Sequence, residues 1–515
     1  MIMRNSIIAK SYLQFFSKKN QTQGYTKVQL IGLILGPLLF VLFNFLIQLE
    51  GISPSARFVL ASTLWIATWW ITEPIPIPVT SLLPLVLFPM GQIMDSNKVA
   101  ANYGNDIIFL FMGGFILAIA MEKWNLHTRL ALNIINKIGT TTSKIVLGFM
   151  MATGVMSMFV SNTAAVMIMI PIGLALIKEA EVLSHNNVSE SLRKFEKTLV
   201  LAIGYAGTIG GMGTLIGTPP LILLAGQMKA IFGYEVSFGQ WMIVGVPSVI
   251  VLLLITWAYL NYVAFKTNMT ELPGGQAVIE RELKKLGKIS REEVIILCIF
   301  LLAALLWIIR GFVFVNIPAL KMIQDGSIAM FISILLFMIP TKRQNGRLID
   351  WSIAKEIPWG VLLLFGGGLA LANAITTSKL DAWLSDQLIL LKGLPIILII
   401  TITALFVLFL TEITSNTATA TMILPLLAAL AVSINVHPLA LMVPAAMAAN
   451  CAFMLPVGTP PNAIVFGTGK VSIREMASTG FWLNIISCVI IVIAVMVLLP
   501  IVFGINITPF PESLK

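Results

Sequence analysis

Two short polar motifs interrupt apolar stretches of this chain, and each occurs twice. Ser161-Asn162-Thr163 is answered by Ser415-Asn416-Thr417, and Gly217-Thr218-Pro219-Pro220 by Gly458-Thr459-Pro460-Pro461. A Ser-Asn-Thr triplet between two helices frees carbonyls where the first helix ends and N–H groups where the second begins. Free carbonyls and the Asn amide oxygen are hard ligands that suit Na⁺. N–H groups at a helix start, helped by the helix dipole, suit a carboxylate, and the Thr hydroxyl can donate to the same anion. One tip can therefore hold a cation on one face and an anion on the other. In Gly-Thr-Pro-Pro the prolines lack N–H donors and disfavour helix in the residue before them, so a span must unwind there. Gly217 and Gly458 permit the backbone geometry of the break, and Thr218 and Thr459 offer hydroxyls beside the unwound carbonyls.

Alone, Ser-Asn-Thr usually caps a helix or makes a turn, and Gly-Pro-Pro in a membrane helix is usually a kink. The duplication argues for more. Phe111-Met-Gly-Gly-Phe-Ile-Leu-Ala aligns with Phe365-Gly-Gly-Gly-Leu-Ala-Leu-Ala at an offset of 254 residues, and the same offset carries the first Ser-Asn-Thr onto the second. The Gly-Thr-Pro-Pro pair is offset by 241, in keeping with a longer loop at 181–197 in the first half. Two segments in one register predict two related halves, and inverted repeats of this kind place their sites at the bilayer midplane.

No basic residue adjoins any of the four motifs. An anion bound there must draw its positive potential from helix N-termini and bound cations, which couples cation and anion binding energetically. Symport requires such coupling. Glu412, beside the second motif, is an intramembrane acid whose role, functional or a structural pair, stays open; its first-half counterpart is Met158. Glu73, ahead of Pro74-Ile-Pro76-Ile-Pro78, is placed at a membrane boundary. The run Gly207-Thr-Ile-Gly210-Gly211-Met-Gly213 lacks Gly-Lys-Ser/Thr and reads as close helix packing, not a phosphate loop. His127, His185 and His437 share no spacing and read as solvated polar groups. Cys298, Cys451 and Cys488 give neither metal spacing nor a disulfide framework and read as small core residues. There is no HExxH, no catalytic aspartate pair and no Ser–His arrangement, so neither an enzyme nor an organic cofactor is expected.

The elements that must position these motifs are membrane helices. Hydrophobic residues make up 58% of the 515, and charged residues only 11%, where soluble domains carry about 25%. Lipid must be the solvent for most of such a chain. The net charge of +10 lies between apolar runs, as juxtamembrane flanks do, and does not point to nucleic acid. A hydrocarbon core of about 30 Å needs about 20 apolar residues. The predicted spans are 28–49, 57–73, 77–94, 106–125, 198–229, 240–265, 293–312, 326–340, 357–376, 437–468 and 478–503. Two further apolar regions, 143–177 and 393–435, are split by the Ser-Asn-Thr tips and predict re-entrant hairpins. Residues 1–27, with Arg4, Lys10, Lys18, Lys19, Lys27 and no acid, read as a cytosolic tail. Lysines and arginines concentrate in the loops 123–142, 178–197, 266–292, 341–356 and 469–477, with few in the connections between. The positive-inside rule then gives eleven spans in the cell membrane, N-terminus cytoplasmic and C-terminus extracellular.

These paired motifs and this layout resemble the divalent anion/sodium symporter family, which includes bacterial dicarboxylate transporters. The resemblance covers nearly the whole chain after the tail. It implies an all-α polytopic membrane protein of about 11 transmembrane helices plus two re-entrant helical hairpins in inverted repeats. A fixed scaffold (28–139 and, with a cytosolic loop, 267–392) would carry a transport domain (140–266 and 393–515) that moves elevator-fashion in a homodimer. It further implies Na⁺-driven import of the C4 dicarboxylates succinate, fumarate and malate. A dicarboxylate exchanger or a citrate or sulfate transporter is the alternative on this fold, and a passive anion channel the alternative of another class. Family sodium ligands carry over onto Ser157, Ser161, Asn162 and Gly217 at one site. At the other they fall on Thr411, Thr414, Ser415, Asn416 and Gly458. Substrate contacts fall on Asn162, Thr163, Asn416 and Thr417, with Thr459, Pro460 and Thr218 beside them.

Overall fold

The computed structural model describes residues 24–139, 141–184, 189–266, 269–341, 346–387 and 393–514. Most of the basic tail, with Arg4, Lys10, Lys18 and Lys19, lies outside the described residues, as does His185. Among the described residues the chain forms helices and no strand, with isolated bridges only at Thr141–Glu271 and Pro340–Arg347. It is a polytopic all-α membrane protein.

The first half contains α1 (Lys27–Val41), α2 (Pro54–Thr72), the short α3 (Ile77–Thr80) and α4 (Leu83–Met90), then α5 (Ser96–Ala101), α6 (Asp106–Lys123) and α7 (Leu126–Ile138). A helix pair follows, α8 (Thr142–Ser157) and α9 (Asn162–Leu183), then α10 (Glu190–Gly210), α11 (Pro219–Phe232) and α12 (Phe238–Ala258). A connecting helix, α13 (Gly275–Leu286), leads to α14 (Arg291–Phe312), α15 (Asp325–Met338), α16 (Trp351–Ala354), α17 (Trp359–Thr377) and α18 (Leu380–Gln387). The second pair, α19 (Ile396–Thr411) and α20 (Asn416–Ser433), precedes α21 (Leu439–Asn450), α22 (Pro460–Gly467) and the long α23 (Ile473–Phe503).

Among the described residues seven helical stretches are long and apolar enough to cross a bilayer. Several other apolar helices have only 10–17 residues, α8, α11, α15, α19 and α21 among them. At about 1.5 Å per residue they fall short of a hydrocarbon core of about 30 Å. Where the sequence predicts one span over 77–94, the chain instead makes α3 and α4. Pro84 stands in the first turn of α4, where a fixed φ and a missing N–H start a helix more readily than they continue one.

Exposed and core-facing sides separate on single helices. On α14, Leu301 and Leu305 are exposed while Ile299, Ala303 and Trp307 are buried. Cys298 sits on the exposed side, so it is not the small core residue expected; Cys451 and Cys488 are buried as predicted. His127 and His437 are also buried, which overturns their solvated reading. His127 Nδ1 lies 2.9 Å from the Met121 carbonyl oxygen, and His437 Nδ1 accepts from the Leu439 N–H at 3.2 Å. In each, the Nδ1 nitrogen has a backbone partner, which lowers the cost of taking the imidazole out of water. Glu73 ends α2 in a left-handed cap with φ 46°.

Ion pairs gather one set of elements into a unit. Lys470, in the loop before α23, meets Glu181 of α9 at 2.9 Å and Glu196 of α10 at 3.0 Å. Lys197 of α10 meets Glu475 of α23 at 2.5 Å. Elsewhere Arg129 of α7 pairs with Glu293 of α14 at 2.7 Å and donates to the carbonyls of Leu286 and Gly287.

Candidate functional site

Ser-Asn-Thr forms the tip of each helix pair, as the sequence predicts. Ser161 is the N-cap of α9, its hydroxyl accepting from the Ala164 N–H at 3.3 Å, and Asn162 is the first helical residue. Ser415 holds the corresponding place before α20, without a side-chain capping bond. Each Gly-Thr-Pro-Pro places its prolines in the first turn of a new helix, α11 or α22. The preceding backbone leaves the α-helix for eight or more residues: α10 gives way to two 3₁₀ turns over 211–217, and α21 to irregular backbone over 451–459. The glycine run read as helix packing thus has two roles. A Cβ on Gly210 would collide with the Gly154 backbone of α8, whereas Gly211–Gly213 form the break itself.

That close approach builds the first cluster. Ser157 Oγ donates to the Gly207 carbonyl at 2.5 Å and lies 2.7 Å from one end of the Asn162 amide. The same end of the amide is 3.3 Å from the carbonyl oxygens of Gly207 and Gly217. Side chains are excluded from this space: a Cβ on Gly211 would strike Asn162 Oδ1, and one on Gly217 would strike the Gly211 carbonyl oxygen. Two amide orientations are possible at such a site. With oxygen inward, four oxygens face one another with a single Ser157 hydroxyl proton among them, an arrangement that a cation would relieve; with nitrogen inward, the two amide hydrogens reach the Gly207 and Gly217 carbonyls. The cluster offers hydroxyl, amide and carbonyl oxygens and no carboxylate. Such a set fits a hard monovalent cation better than Ca²⁺, which takes carboxylates.

The second half repeats the pattern. Thr411 Oγ1 lies 2.6 Å from Asn416 Oδ1 and donates to the Ala449 carbonyl at 2.8 Å. Thr411 and Asn416 are Ser157 and Asn162 displaced by 254 residues, and Ala449 follows Gly207 by 242, so the repeat extends to individual hydrogen bonds. Gly458 backs onto the tip: a Cβ there would lie 3.2 Å from the Glu412 carbonyl oxygen. Thr414 points elsewhere, its hydroxyl donating to the Leu410 carbonyl at 2.7 Å and meeting Thr419 Oγ1 at 2.6 Å. Only its backbone carbonyl remains as a possible ligand.

The residues carried over as substrate contacts divide. Thr163 and Thr417 are half-buried beside their asparagines. Thr218 is buried, and its hydroxyl donates to Asn450 Oδ1 at 2.7 Å. Thr459 accepts from the Asn462 N–H at 3.3 Å, capping its own helix, and Pro460 is exposed.

Glu412 takes the structural side of the question left open. Its carboxylate accepts from the backbone N–H groups of Phe453 (2.7 Å), Met454 (2.9 and 3.0 Å) and Leu455 (3.1 Å), and from Asn484 Nδ2 of α23 at 2.8 Å. It pins the second break to the second tip. Met158 fills the same register position in the first half and packs its side chain against Gly213, while Thr214 Oγ1 donates to the Met158 carbonyl. The long helix after each break presses on it through a glycine. A Cβ on Gly245 of α12 would lie 2.6 Å from the Met212 carbonyl oxygen, and one on Gly480 of α23 would lie 2.7 Å from Met454 Cα.

Asn450, which sequence reasoning missed, is fully buried where the halves meet. Its Nδ2 donates to the Thr208 carbonyl at 2.5 Å, and its Oδ1 lies 3.3 Å from the outer end of the Asn162 amide, accepting from it when that end is the nitrogen. A side-chain amide inside an Ala-rich apolar run was the available signal.

The family model described as the sodium:sulfate symporter transmembrane region matches residues 27–505. A protein named sodium-dependent dicarboxylate transporter SdcS from Staphylococcus saprophyticus is 63% identical over 504 residues, covering 97% of both chains. The protein of the same name from Staphylococcus aureus strain USA300 is 62% identical over 510 residues, covering 98% of both. Two solved structures share the fold at low identity. Neisseria gonorrhoeae MtrF aligns at TM-score 0.55 and 11% identity, over 94% of this chain and 98% of its own. Alcanivorax borkumensis YdaH aligns at TM-score 0.50 and 12% identity over the same shares.

Proposed function

The chain belongs to the sodium:sulfate symporter family, and on that premise we propose that it is a secondary active transporter coupling Na⁺ to the import of C4 dicarboxylates such as succinate, fumarate and malate. The observation that carries this reading is the duplicated oxygen cluster, Ser157–Asn162–Gly207 and Thr411–Asn416–Ala449. In it Na⁺ is cargo. One ion is held by Ser157, Asn162 and Gly217, with the Ser161 backbone beside them. A second is held by Thr411, Asn416 and Gly458, with the backbones of Thr414 and Ser415 beside them.

The dicarboxylate lies against the opposite face of the tips, on Asn162, Thr163, Asn416 and Thr417. Thr459 and Pro460 border it, and Thr218 shapes the first tip from behind through Asn450. Among the described residues no lysine or arginine hydrogen-bonds to the tips, so bound cations and helix N-termini supply the positive potential. The names of the relatives from two staphylococci support sodium and dicarboxylate as the pair. The family description favours sulfate as the second reading.

Movement is of the elevator type. Residues 140–266 and 393–515 travel as one body, which the Lys470 and Lys197 ion pairs support. Residues 28–139 and 267–392 stay fixed in a homodimer, with a cytoplasmic N-terminus and an extracellular C-terminus.

The test is uptake by proteoliposomes of labelled succinate, competed by fumarate, malate, citrate and sulfate, in Na⁺ and in choline. Competition by the C4 acids in Na⁺ agrees. Competition by sulfate or citrate alone moves the cargo to the second reading, and unsaturable flux indifferent to Na⁺ means a channel.

A further inference from the structure

We propose that Asn450 is a positioning residue that sets the amide of Asn162 for cation binding and couples the two cation clusters. The inference rests on the sodium reading above and adds a physical link between the sites.

Asn450 belongs to the second half, yet its partners belong to the first. Its Oδ1 accepts from Thr218 Oγ1 at 2.7 Å and from Asn162 Nδ2 at 3.3 Å, and its Nδ2 donates to the Thr208 carbonyl at 2.5 Å. Thr208 and Thr218 thereby fix the direction of the Asn450 amide. An oxygen held toward Asn162 contributes to the orientation in which Asn162 presents its nitrogen to Asn450 and its oxygen to Ser157, Gly207 and Gly217. That is the orientation a cation needs. With no cation between them, the Gly207 and Gly217 carbonyls and Ser157 Oγ draw the Asn162 nitrogen inward; the Asn450 acceptor opposes that turn by one hydrogen bond and so lowers the cost of presenting oxygen to a cation.

The same short piece of backbone reaches the other cluster. Ala449, whose carbonyl accepts from Thr411 Oγ1 at 2.8 Å, shares a peptide bond with Asn450. On the far side, Cys451 Sγ lies 3.6 Å from Met212 Sδ of the first break. A cation in the first cluster holds Asn162 with its oxygen inward, which holds Asn450 and so the Ala449 carbonyl. By reciprocity a cation in the second favours the first. The link has one direction in the sequence: Thr208 takes the place of Asn450 in the first half, and its hydroxyl turns back to the Gly204 carbonyl at 3.4 Å.

The test compares wild type, Asn450→Leu and Asn450→Asp, purified in detergent and reconstituted. Na⁺ is titrated against choline while the melting temperature and succinate uptake are recorded. Wild type is expected to respond sigmoidally. Asn450→Leu, similar in size but with no acceptor, is expected to need about tenfold more Na⁺ for half-saturation, within the range of such couplings. Its curve becomes hyperbolic, and its succinate KM at saturating Na⁺ moves less than about twofold. Asn450→Asp retains the acceptor for Asn162 and Thr218 and is expected to stay sigmoidal. An Asn450→Leu curve that superposes on wild type, or equal loss in both variants, overturns the inference. If the leucine variant does not fold, the aspartate variant decides: a hyperbolic response contradicts the proposal. A wild-type melting temperature and uptake that both ignore Na⁺ overturn the sodium reading itself, and this inference with it.

Discussion

Replacing Glu412 by glutamine keeps the shape of the side chain and removes the charge that holds the second break. The carboxylate accepts from three backbone N–H groups and one Asn484 amide, all at 2.7–3.1 Å. Either orientation of a glutamine amide turns an NH₂ toward a backbone donor, Leu455 in one case and Phe453 in the other. Charge-assisted hydrogen bonds exceed neutral ones by about 1 kcal/mol each, and each buried donor left unsatisfied costs about 1–3 kcal/mol. The total is about 4 kcal/mol, concentrated on residues 453–455 just ahead of Gly458. If only a third of it falls on the arrangement that binds Na⁺, half-saturation rises about tenfold, since about 1.4 kcal/mol is a factor of ten. The assay is Na⁺-dependent succinate uptake together with melting of the purified protein. The expected result is a lower melting temperature and a right-shifted Na⁺ curve. Wild-type values of both would refute the argument that this carboxylate supports the second cation cluster.

Asn162→Ala and Asn416→Ala each remove an amide from a tip, and each is expected to abolish uptake while the protein still elutes as a single species from a sizing column. Gly211→Ala places a methyl against Asn162 Oδ1 and 3.1 Å from the Gly217 carbonyl oxygen, and should raise half-saturating Na⁺ while leaving the second cluster intact; Na⁺ titration of uptake reads it. Lys470→Met leaves the buried Glu196 beside Glu181 without a cation, and should destabilise by on the order of 1–2 kcal/mol once partial exposure of the trio is counted, measured by thermal melting. His127, outside the spans, has its pKa lowered from the ordinary 6.5 by burial. Its neutral form is therefore favoured in the folded protein, and the stability this confers is present above about pH 6.5 and declines as pH falls below it. Melting temperatures from pH 8 downward should show that decline in wild type and a shallower one in His127→Gln.

The tips and breaks were legible because polar triplets and paired prolines inside apolar runs oblige the backbone to leave the helix. The register of 254 residues also relates contacts the sequence did not foretell: Ser157 with Asn162 recurs as Thr411 with Asn416, residues that only the family resemblance had singled out. Local patterns gave less where contacts are distant. Glu412 finds its donors 41 to 43 residues away, with Asn484 at 72, and nothing adjacent to it announces that nest. Asn450 reads as one polar residue among alanines until Thr218, 232 residues earlier, is brought to it. His127 and His437 were misjudged for the same reason: a backbone partner that permits burial is invisible from charge and loop position alone. The span predicted over 77–94 is divided at residues 81–82 because hydropathy does not register where proline starts a new helix.

The central claim is that cations in the two oxygen clusters are bound and moved with the anion. Simultaneous uptake of radiolabelled sodium and succinate into proteoliposomes tests it most directly. The account predicts that each flux requires the other, that both saturate, and that Asn162→Ala and Asn416→Ala stop both together. Succinate accumulating at its full rate with no accompanying sodium flux would contradict it.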